Sequence, residues 1–213
     1  MQKMLREMFN KPRLMRRLAV LVLTIVLMGF CVAVFQQIGV GTDPCATLTK
    51  GVSMTLGISY GSCMFLISFL ILAVILLMKH YRTIGPGTII VMFLLGYVVD
   101  FFNWVFNSLN PLGDETLAVK AVIFVITMAV FLVDVAFYTV VDMGTAPYDA
   151  LPIVLADRQK KIPFAPIRMA QDILCTAAGW LMGGPVGVVT VIVCFFMGPV
   201  ISLIAARFRH WFE

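Results

Sequence analysis

Several ionisable side chains lie within or beside long apolar stretches, where a charge is hard to accommodate, among them Asp100, Asp134, Asp149 and Arg168. A carboxylate or guanidinium removed from water needs a partner, a proton or nearby water. A buried carboxyl group also holds a proton more readily than one in water. Asp100 and Asp134 are therefore candidates for proton coupling. The alternative is that each anchors neighbouring helices through a hydrogen bond.

The pattern Gly-Thr-x-Pro-x-x-x-Leu occurs twice, at residues 41–48 and 144–151, each time directly after a long apolar run. Glycine or proline breaks at corresponding positions of two membrane repeats are a sequence indication of a transporter's binding site. An ordinary turn between helices is the alternative interpretation of each copy taken alone. The predicted substrate-binding residues of the two copies are Gly41, Thr42, Pro44, Gly144, Thr145 and Pro147.

Each copy also predicts a short helix. A Thr N-cap followed by proline in the first turn is a helix-start pattern, so we expect helices to begin near Pro44 and Pro147. Both are too short to span a bilayer, and each is either re-entrant or lies at the interface. A re-entrant helix would direct its free N–H groups at a polar ligand.

A second landmark keeps the same register in both halves. Thr88 follows Thr42 by 46 residues, and Thr190 follows Thr145 by 45 residues. The chain therefore contains an internal repeat rather than two chance matches.

Asp149 and Arg168 add charge to the second half. Asp149 lies at the start of the second short helix, where it either caps free N–H groups or binds a cation. The corresponding residue of the first half is Ala46, so the halves differ chemically. Arg168 and Asp172 have the i, i+4 spacing of a local salt bridge, and Arg168 is alternatively the fixed cation for an anionic substrate. Both Asp149 and Arg168 are predicted to bind substrate.

The composition predicts the class of protein that positions these groups. Of 213 residues, 61% are hydrophobic and 13% charged, whereas soluble domains have about 45–50% and about 25%. Six runs approach or reach the about 17–25 residues that cross a bilayer: 18–38, 60–78, 88–106, 117–141, 166–182 and 188–206. We predict a single all-α membrane domain with a basic cytoplasmic segment at 1–17, a three-helix repeat at 18–110 and a second at 111–213.

The charge distribution predicts the orientation. If the six runs span, 14 of the 16 Lys and Arg residues fall on one side, and only Lys50 and Lys120 lie opposite. The positive-inside rule then places both termini in the cytoplasm. The net charge of +5 is thus explained without nucleic acid, and we expect segment 1–17 to contact acidic membrane lipid.

Three crossings per half imply that the second half enters the membrane from the opposite face. The fold prediction is therefore six transmembrane helices arranged as two inverted repeats, each with a short broken or re-entrant helix. The site would lie between the halves near the midplane.

No catalytic set emerges from the residue spacing. The two histidines and five cysteines form no metal-binding pattern, and no Gly-rich phosphate loop with Lys occurs. We expect no catalytic residues, no metal, no cofactor and no enzymatic activity.

The paired segments 41–48 and 144–151, with Asp100 after Gly96 and Gly183-Gly184 before Gly187, resemble the YczE/YitT-type bacterial integral membrane proteins. The resemblance covers roughly residues 15–206. It implies a multi-pass protein of the bacterial cytoplasmic (inner) membrane. The form Gly-x-x-Pro-x-Asp-x-Leu is common in that family. Asp149 matches it, whereas the first copy has Ala46 at that position.

Two functional hypotheses follow. The first is a small secondary-transporter or permease-like protein that moves an unidentified small solute, with proton coupling through Asp100 or Asp134. The alternative is a non-transporting membrane partner or regulatory subunit of another complex. A homodimer is compatible with either, because six short helices leave little room to enclose a large substrate.

Overall fold

The computed structural model describes residues 14–109 and 112–195, and within them the chain is α-helical without a β-strand. The first half contains α1 (Leu14–Ile38), α2 (Pro44–Leu56), α3 (Tyr60–Leu77) and α4 (Pro86–Leu109). The second contains α5 (Leu117–Val141), α6 (Pro147–Gln159), α7 (Phe164–Leu181) and α8, described over 188–195. Single 3-10 turns occupy Tyr81–Thr83 and Leu112–Asp114. Most of the predicted basic segment and the end of the sixth predicted run lie outside the described residues.

Four helices are long and apolar enough to cross a membrane: α1, α3, α4 and α5. The fifth predicted run, 166–182, coincides with α7, which is not among these four. The sixth run begins as α8. Large apolar side chains cover the outer surface, as expected for helices that face hydrocarbon; among them are Leu23, Leu70, Phe93, Leu117, Val125 and Trp180.

The two halves have the same series of helices. The first three helices of the first half contain 25, 13 and 18 residues. The first three helices of the second half also contain 25, 13 and 18 residues. The internal repeat predicted from the two Gly-Thr-x-Pro copies thus extends to the lengths of the elements on either side of them.

The short helices begin at Pro44 and Pro147, as predicted. The prediction of a Thr N-cap was wrong. The first N-cap is Asp43, whose side chain accepts the Ala46 N–H, and the second is Ala146, which makes no side-chain cap. When proline occupies the first helical position, the residue directly before it is the N-cap. Thr42 and Thr145 each lie one residue before that N-cap position.

The threonine of the first copy contributes its backbone to a contact with the second half. Thr190 Oγ1 donates to Thr42 O at 2.7 Å and accepts from Gly187 N at 3.2 Å. Gly41 has a φ of +86°, and a Cβ there would lie 2.3 Å from Gly187 N. Glycine is required at this position because its φ is positive and because it packs directly against the backbone of Gly187 in the second half.

The second copy makes the reciprocal contact with the first half. Thr88 Oγ1 donates to Thr145 O at 2.8 Å and accepts from Gly85 N at 3.0 Å. Gly144 has a φ of +108°, and a Cβ there would lie 2.6 Å from Gly85 N. The four threonines that keep register along the sequence are therefore paired across the two halves.

The helices pack in the same reciprocal manner. Helix α1 contacts α4 of its own half and α5 of the other, α2 contacts α7, and α3 contacts α6 as well as α4. Two glycine pairs allow close approach: a Cβ on Gly51 would lie 2.4 Å from Gly179 O, and one on Gly96 would lie 2.8 Å from Gly61 Cα. The core between α1 and α5 includes Phe35, which packs edge-on against the Phe131 ring.

We predict that Thr88→Val and Thr190→Val each lower the free energy of unfolding by about 1–3 kcal/mol, because each leaves a buried carbonyl and N–H without its partner. The measurement is an unfolding titration of the protein in bicelles. Thr139→Val is the matched control, since Thr139 is exposed and bonds only within its own helix. Equal stability of all three variants would contradict the importance of the paired threonines.

Candidate functional site

A cavity of about 90 Å³ lies between the two halves and is lined by residues from both. Its wall is mostly apolar, with side chains from α1, α3, α4 and α5. Its charged groups come from three places, which are the turn before α2, the first turn of α6 and the first turns of α7. The carboxylates of Asp43 and Asp149 and the guanidinium of Arg168 are its charged lining groups among the described residues.

Arg168 binds two carboxylates. Its Nη1 donates to Asp149 Oδ1, and its Nε donates to Asp172 Oδ2 at 3.0 Å. The local i, i+4 salt bridge predicted from the sequence is therefore present, and Asp149 adds a contact between α6 and α7. Asp172 is 2% exposed, so its charge depends on this cation for compensation.

Tyr148 ties the start of α6 to α7. Its hydroxyl donates to Asp172 Oδ1 at 2.7 Å, and its carbonyl accepts from Gln171 Nε2 at 2.8 Å. The Arg168 guanidinium carbon lies 5.0 Å from the centre of the Tyr148 ring, a cation–π distance. Both oxygens of Asp172 are thus engaged, and the orientation of Arg168 is held from three directions.

Asp43 is a cavity residue that the sequence interpretation missed. It is the third residue of the first Gly-Thr-x-Pro copy, and its Oδ1 accepts the Ala46 N–H at 3.0 Å. Burial raises the pKa of the Asp43 carboxyl to about 6, against the opposing effect of that backbone hydrogen bond. Asp43 lies outside the four candidate spans.

The two copies each supply one carboxylate, from different positions. Asp43 is the third residue of its copy and corresponds to Ala146, whereas Asp149 is the sixth and corresponds to Ala46. All four residues line the cavity. The sequence signal was available, because an acid stands at one of these two positions in each copy. The sequence interpretation compared only the sixth positions, Asp149 and Ala46, and therefore missed Asp43 at the third position.

Three tyrosines complete the wall: Tyr60 on α3, Tyr138 on α5 and Tyr148 on α6. Tyr138 donates to Gly144 O at 3.4 Å. The Tyr60 side chain is 4% exposed, and its hydroxyl has no hydrogen-bond partner among the described residues. No sequence motif marks these rings, which belong to different helices and meet only in the fold.

The other predicted substrate-binding residues lie behind the cavity wall. Gly41, Thr42, Gly144 and Thr145 form the turns that contact the opposite half. Pro44 and Pro147 begin the short helices and are buried. These residues position the cavity's carboxylates without lining the cavity themselves.

The two predicted proton-coupling residues also lie outside the cavity lining. Asp100 Oδ2 accepts the Gly61 N–H at 2.7 Å, in the first turn of α3. This is the anchoring interaction considered as the alternative for it. Asp134 is 3% exposed on α5, and its Oδ2 has no hydrogen-bond partner in the described part of the chain.

Within the described residues, four apolar helices long enough to span and a cavity with charged lining groups between repeated halves define a multi-pass membrane protein. Residues 15–206 match the family described as "Family of unknown function (DUF6198)". The chain belongs to this family.

Three relatives agree with this assignment. The chain is 27% identical over 169 residues to the uncharacterized protein YyaS of Bacillus subtilis, covering 79% of this chain and 82% of YyaS. It is 23% identical over 116 residues to the uncharacterized membrane protein YczE of Bacillus subtilis, covering 54% and 51%. An uncharacterized protein of Haemophilus influenzae is 24% identical over 200 residues, covering 92% and 87%. The predicted YczE-like resemblance is confirmed. No solved structure matches the chain.

We predict that Arg168→Gln lowers the free energy of unfolding by about 3 kcal/mol, because it leaves the buried Asp172 carboxylate without a cation. Adding Asp172→Asn should recover part of this loss, since the Tyr148 hydroxyl can still donate to an amide oxygen. Both are measured by the same bicelle titration. A double variant no more stable than Arg168→Gln would show that the ion pair does not hold α7 in place.

Proposed function

We propose that the protein is a small secondary transporter that moves a small solute through the cavity between its two halves. The observation that carries this proposal is the cavity itself, whose polar wall is built from both Gly-Thr-x-Pro copies. In transporters built from repeats, substrates bind where broken helices of the two repeats meet. Here the turns that begin α2 and α6 supply Asp43 and Asp149 to one cavity.

The proposal includes α7 and α8 as the fifth and sixth spans. Helix α7 has 18 residues, about 27 Å at 1.5 Å per residue, which is close to the thickness of the hydrocarbon core. Its charged residues Arg168 and Asp172 bind each other and the cavity wall rather than facing lipid. Six spans place both termini in the cytoplasm by the positive-inside rule.

Inverted symmetry accounts for the reciprocal contacts between the halves. A two-fold axis in the membrane plane exchanges the halves, so a contact from the first turn to the second half must recur from the second turn to the first. The paired bonds Thr190–Thr42 and Thr88–Thr145 have this form.

Of the two aspartates, Asp134 is the better candidate for proton coupling. A proton carrier must be able to release and rebind its proton. The Oδ2 atom of Asp134 has no hydrogen-bond partner among the described residues, so no such bond competes with proton exchange. Asp100 instead accepts the Gly61 N–H through its Oδ2 and so joins α4 to the start of α3, which is the role of a structural anchor.

The topology is testable by cysteine labelling in a background without the five native cysteines. The cysteine of an Asp114→Cys variant, between α4 and α5, should react with an impermeant thiol reagent added outside intact cells. A cysteine at Arg82, between α3 and α4, should react only after the membrane is permeabilised. Labelling of position 114 only from the cytoplasmic side would contradict the inverted arrangement.

Flux is tested with the purified protein in liposomes, with and without an inward proton gradient, against a panel of small amines, amino acids and organic anions. We expect gradient-dependent uptake of at least one solute. Asp134→Asn should abolish the dependence on the gradient, whereas Asp100→Asn should retain it because an amide oxygen can still accept the Gly61 N–H.

A non-transporting role makes a different prediction. If the protein is a membrane partner or regulatory subunit, liposomes should show no flux of any solute above that of protein-free vesicles. A second membrane protein should then co-purify in stoichiometric amount under mild detergent. That pair of results would contradict the transporter proposal.

A further inference from the structure

We propose that the cavity selects a small organic ammonium ion, held by the carboxylates of Asp43 and Asp149 and by the ring of Tyr60. This assignment of substrate class rests on the proposed function as a transporter. It specifies that the substrate is positively charged and that it is an organic ammonium ion.

The balance of charge at the cavity excludes an anion as the preferred ligand. Arg168 is the only cation in the lining among the described residues, and Asp149 and Asp172 already bind it. Its charge is already balanced by these carboxylates, so an anion would gain little net attraction from it and would lie close to both acids. Asp43 adds a third acid, and its Oδ2 accepts no hydrogen bond from the described residues. The cluster therefore carries excess negative charge even when Asp43 is protonated.

The aromatic rings of the wall suit an ammonium ion. A cation over a tyrosine face is attracted by the negative face of the ring. The Tyr148 ring already has the Arg168 guanidinium 5.0 Å from its centre. The Tyr60 and Tyr138 rings line the same space.

Tyr60 points independently to a ligand. Its side chain is 4% exposed, it lines the cavity, and its hydroxyl has no hydrogen-bond partner in residues 14–109 or 112–195. The hydroxyl oxygen is not among the fully enclosed side-chain atoms that lack a partner, so water or a ligand in the cavity can reach it and satisfy it. An alkylammonium N–H donated to the Tyr60 oxygen would satisfy it.

The size and the apolar wall favour an organic cation over a metal ion. The cavity of about 90 Å³ corresponds to about three molecules of liquid water. Hard metal cations take six or more oxygen ligands, and apart from the two aspartates and the tyrosine hydroxyls the lining side chains around this space are mainly apolar, including Ile25, Met64 and Val99. Methyl groups of an alkylammonium ion can contact these side chains.

The affinity for a cation should depend on pH through Asp43. Burial raises the pKa of its carboxyl to about 6. The charged groups that act on it are Asp149 and Asp172, which raise the pKa, and Arg168, which lowers it. Below pH 6 Asp43 is protonated, one negative charge is lost, and a cation binds more weakly. Above pH 6 the affinity should reach a plateau.

The test is calorimetric titration of the purified full chain in detergent with methylammonium and tetramethylammonium chloride, and with sodium acetate as the anion probe. We expect at least one ammonium ion to bind and acetate not to bind. Asp43→Asn should weaken binding about tenfold or more and flatten the pH profile. It keeps the helix intact because Asn is also a good N-cap.

Two substitutions of Tyr60 separate its ring from its hydroxyl. Tyr60→Leu removes the ring and should weaken binding of tetramethylammonium about fivefold. Tyr60→Phe keeps the ring and removes the hydroxyl. It should weaken binding of methylammonium alone, because only that ion has N–H groups to donate. Thr139→Val, on the exposed face of α5, is the control and should bind as the unmodified protein does. Monodispersity and helix content by circular dichroism are checked for each variant.

Failure of this inference differs from failure of the proposed function. Binding of acetate in preference to both ammonium ions, or ammonium binding unchanged by Asp43→Asn and Tyr60→Leu, would overturn the ammonium assignment while leaving transport intact. Ammonium binding with the expected dependence, but no flux in liposomes, would support the site and contradict the transporter.

Discussion

The structure depends on the exchange of one contact between the two halves: a threonine hydroxyl from each half donates to the backbone of the turn that precedes the other half's short helix. Thr190 bonds Thr42 O, and Thr88 bonds Thr145 O. Each hydroxyl also accepts an N–H of its own turn, Gly187 or Gly85. Neither half can satisfy the hydrogen bonds of its own turn, because the hydroxyl that donates to the Thr42 or Thr145 carbonyl belongs to the other half. The two repeats must therefore fold against each other, and the short helices start at positions set by that contact.

The cavity follows from where those turns lie. They direct the first residues of α2 and α6 inward, so that Asp43 and Asp149 line the same space. Arg168 then bridges Asp149 to the buried Asp172, and Tyr148 bonds the second oxygen of Asp172. The result is a polar wall whose only lining cation among the described residues is already bound by acids. The other lining side chains are tyrosine or apolar, apart from Cys45. The electrostatics of the site thus combine the short-range pairing of Arg168 with the acid Asp43, which forms no ion pair among the described residues.

Several features were predictable from local pattern. The starts of the short helices at Pro44 and Pro147 follow from proline chemistry. The Arg168–Asp172 pair follows from helix periodicity. Asp43 was missed although the paired copies carried a signal for it, because only the sixth position of each copy was compared. Tyr60 was not predicted, because a lone tyrosine has no local pattern to distinguish it. The Thr N-cap was predicted wrongly for a related reason: Thr42 and Thr145 use their backbone for a contact with residues more than fifty positions away, while the residue next to proline takes the cap.

A helical membrane protein with a repeated unit could be predicted from the sequence alone, because apolar run length, charge placement and motif spacing are local or one-dimensional properties. The sequence also placed Asp149 at the start of the second short helix and Arg168 near the start of the fifth predicted span. Three features appear only in the folded chain: Thr88 and Thr190 bond the opposite half, Asp43 shares a cavity with Asp149, and Tyr60 lines the same cavity. The physical reason is that these contacts join helices of different repeats, whose relative placement depends on packing across the interface between the halves and has no counterpart in the spacing of residues along either one.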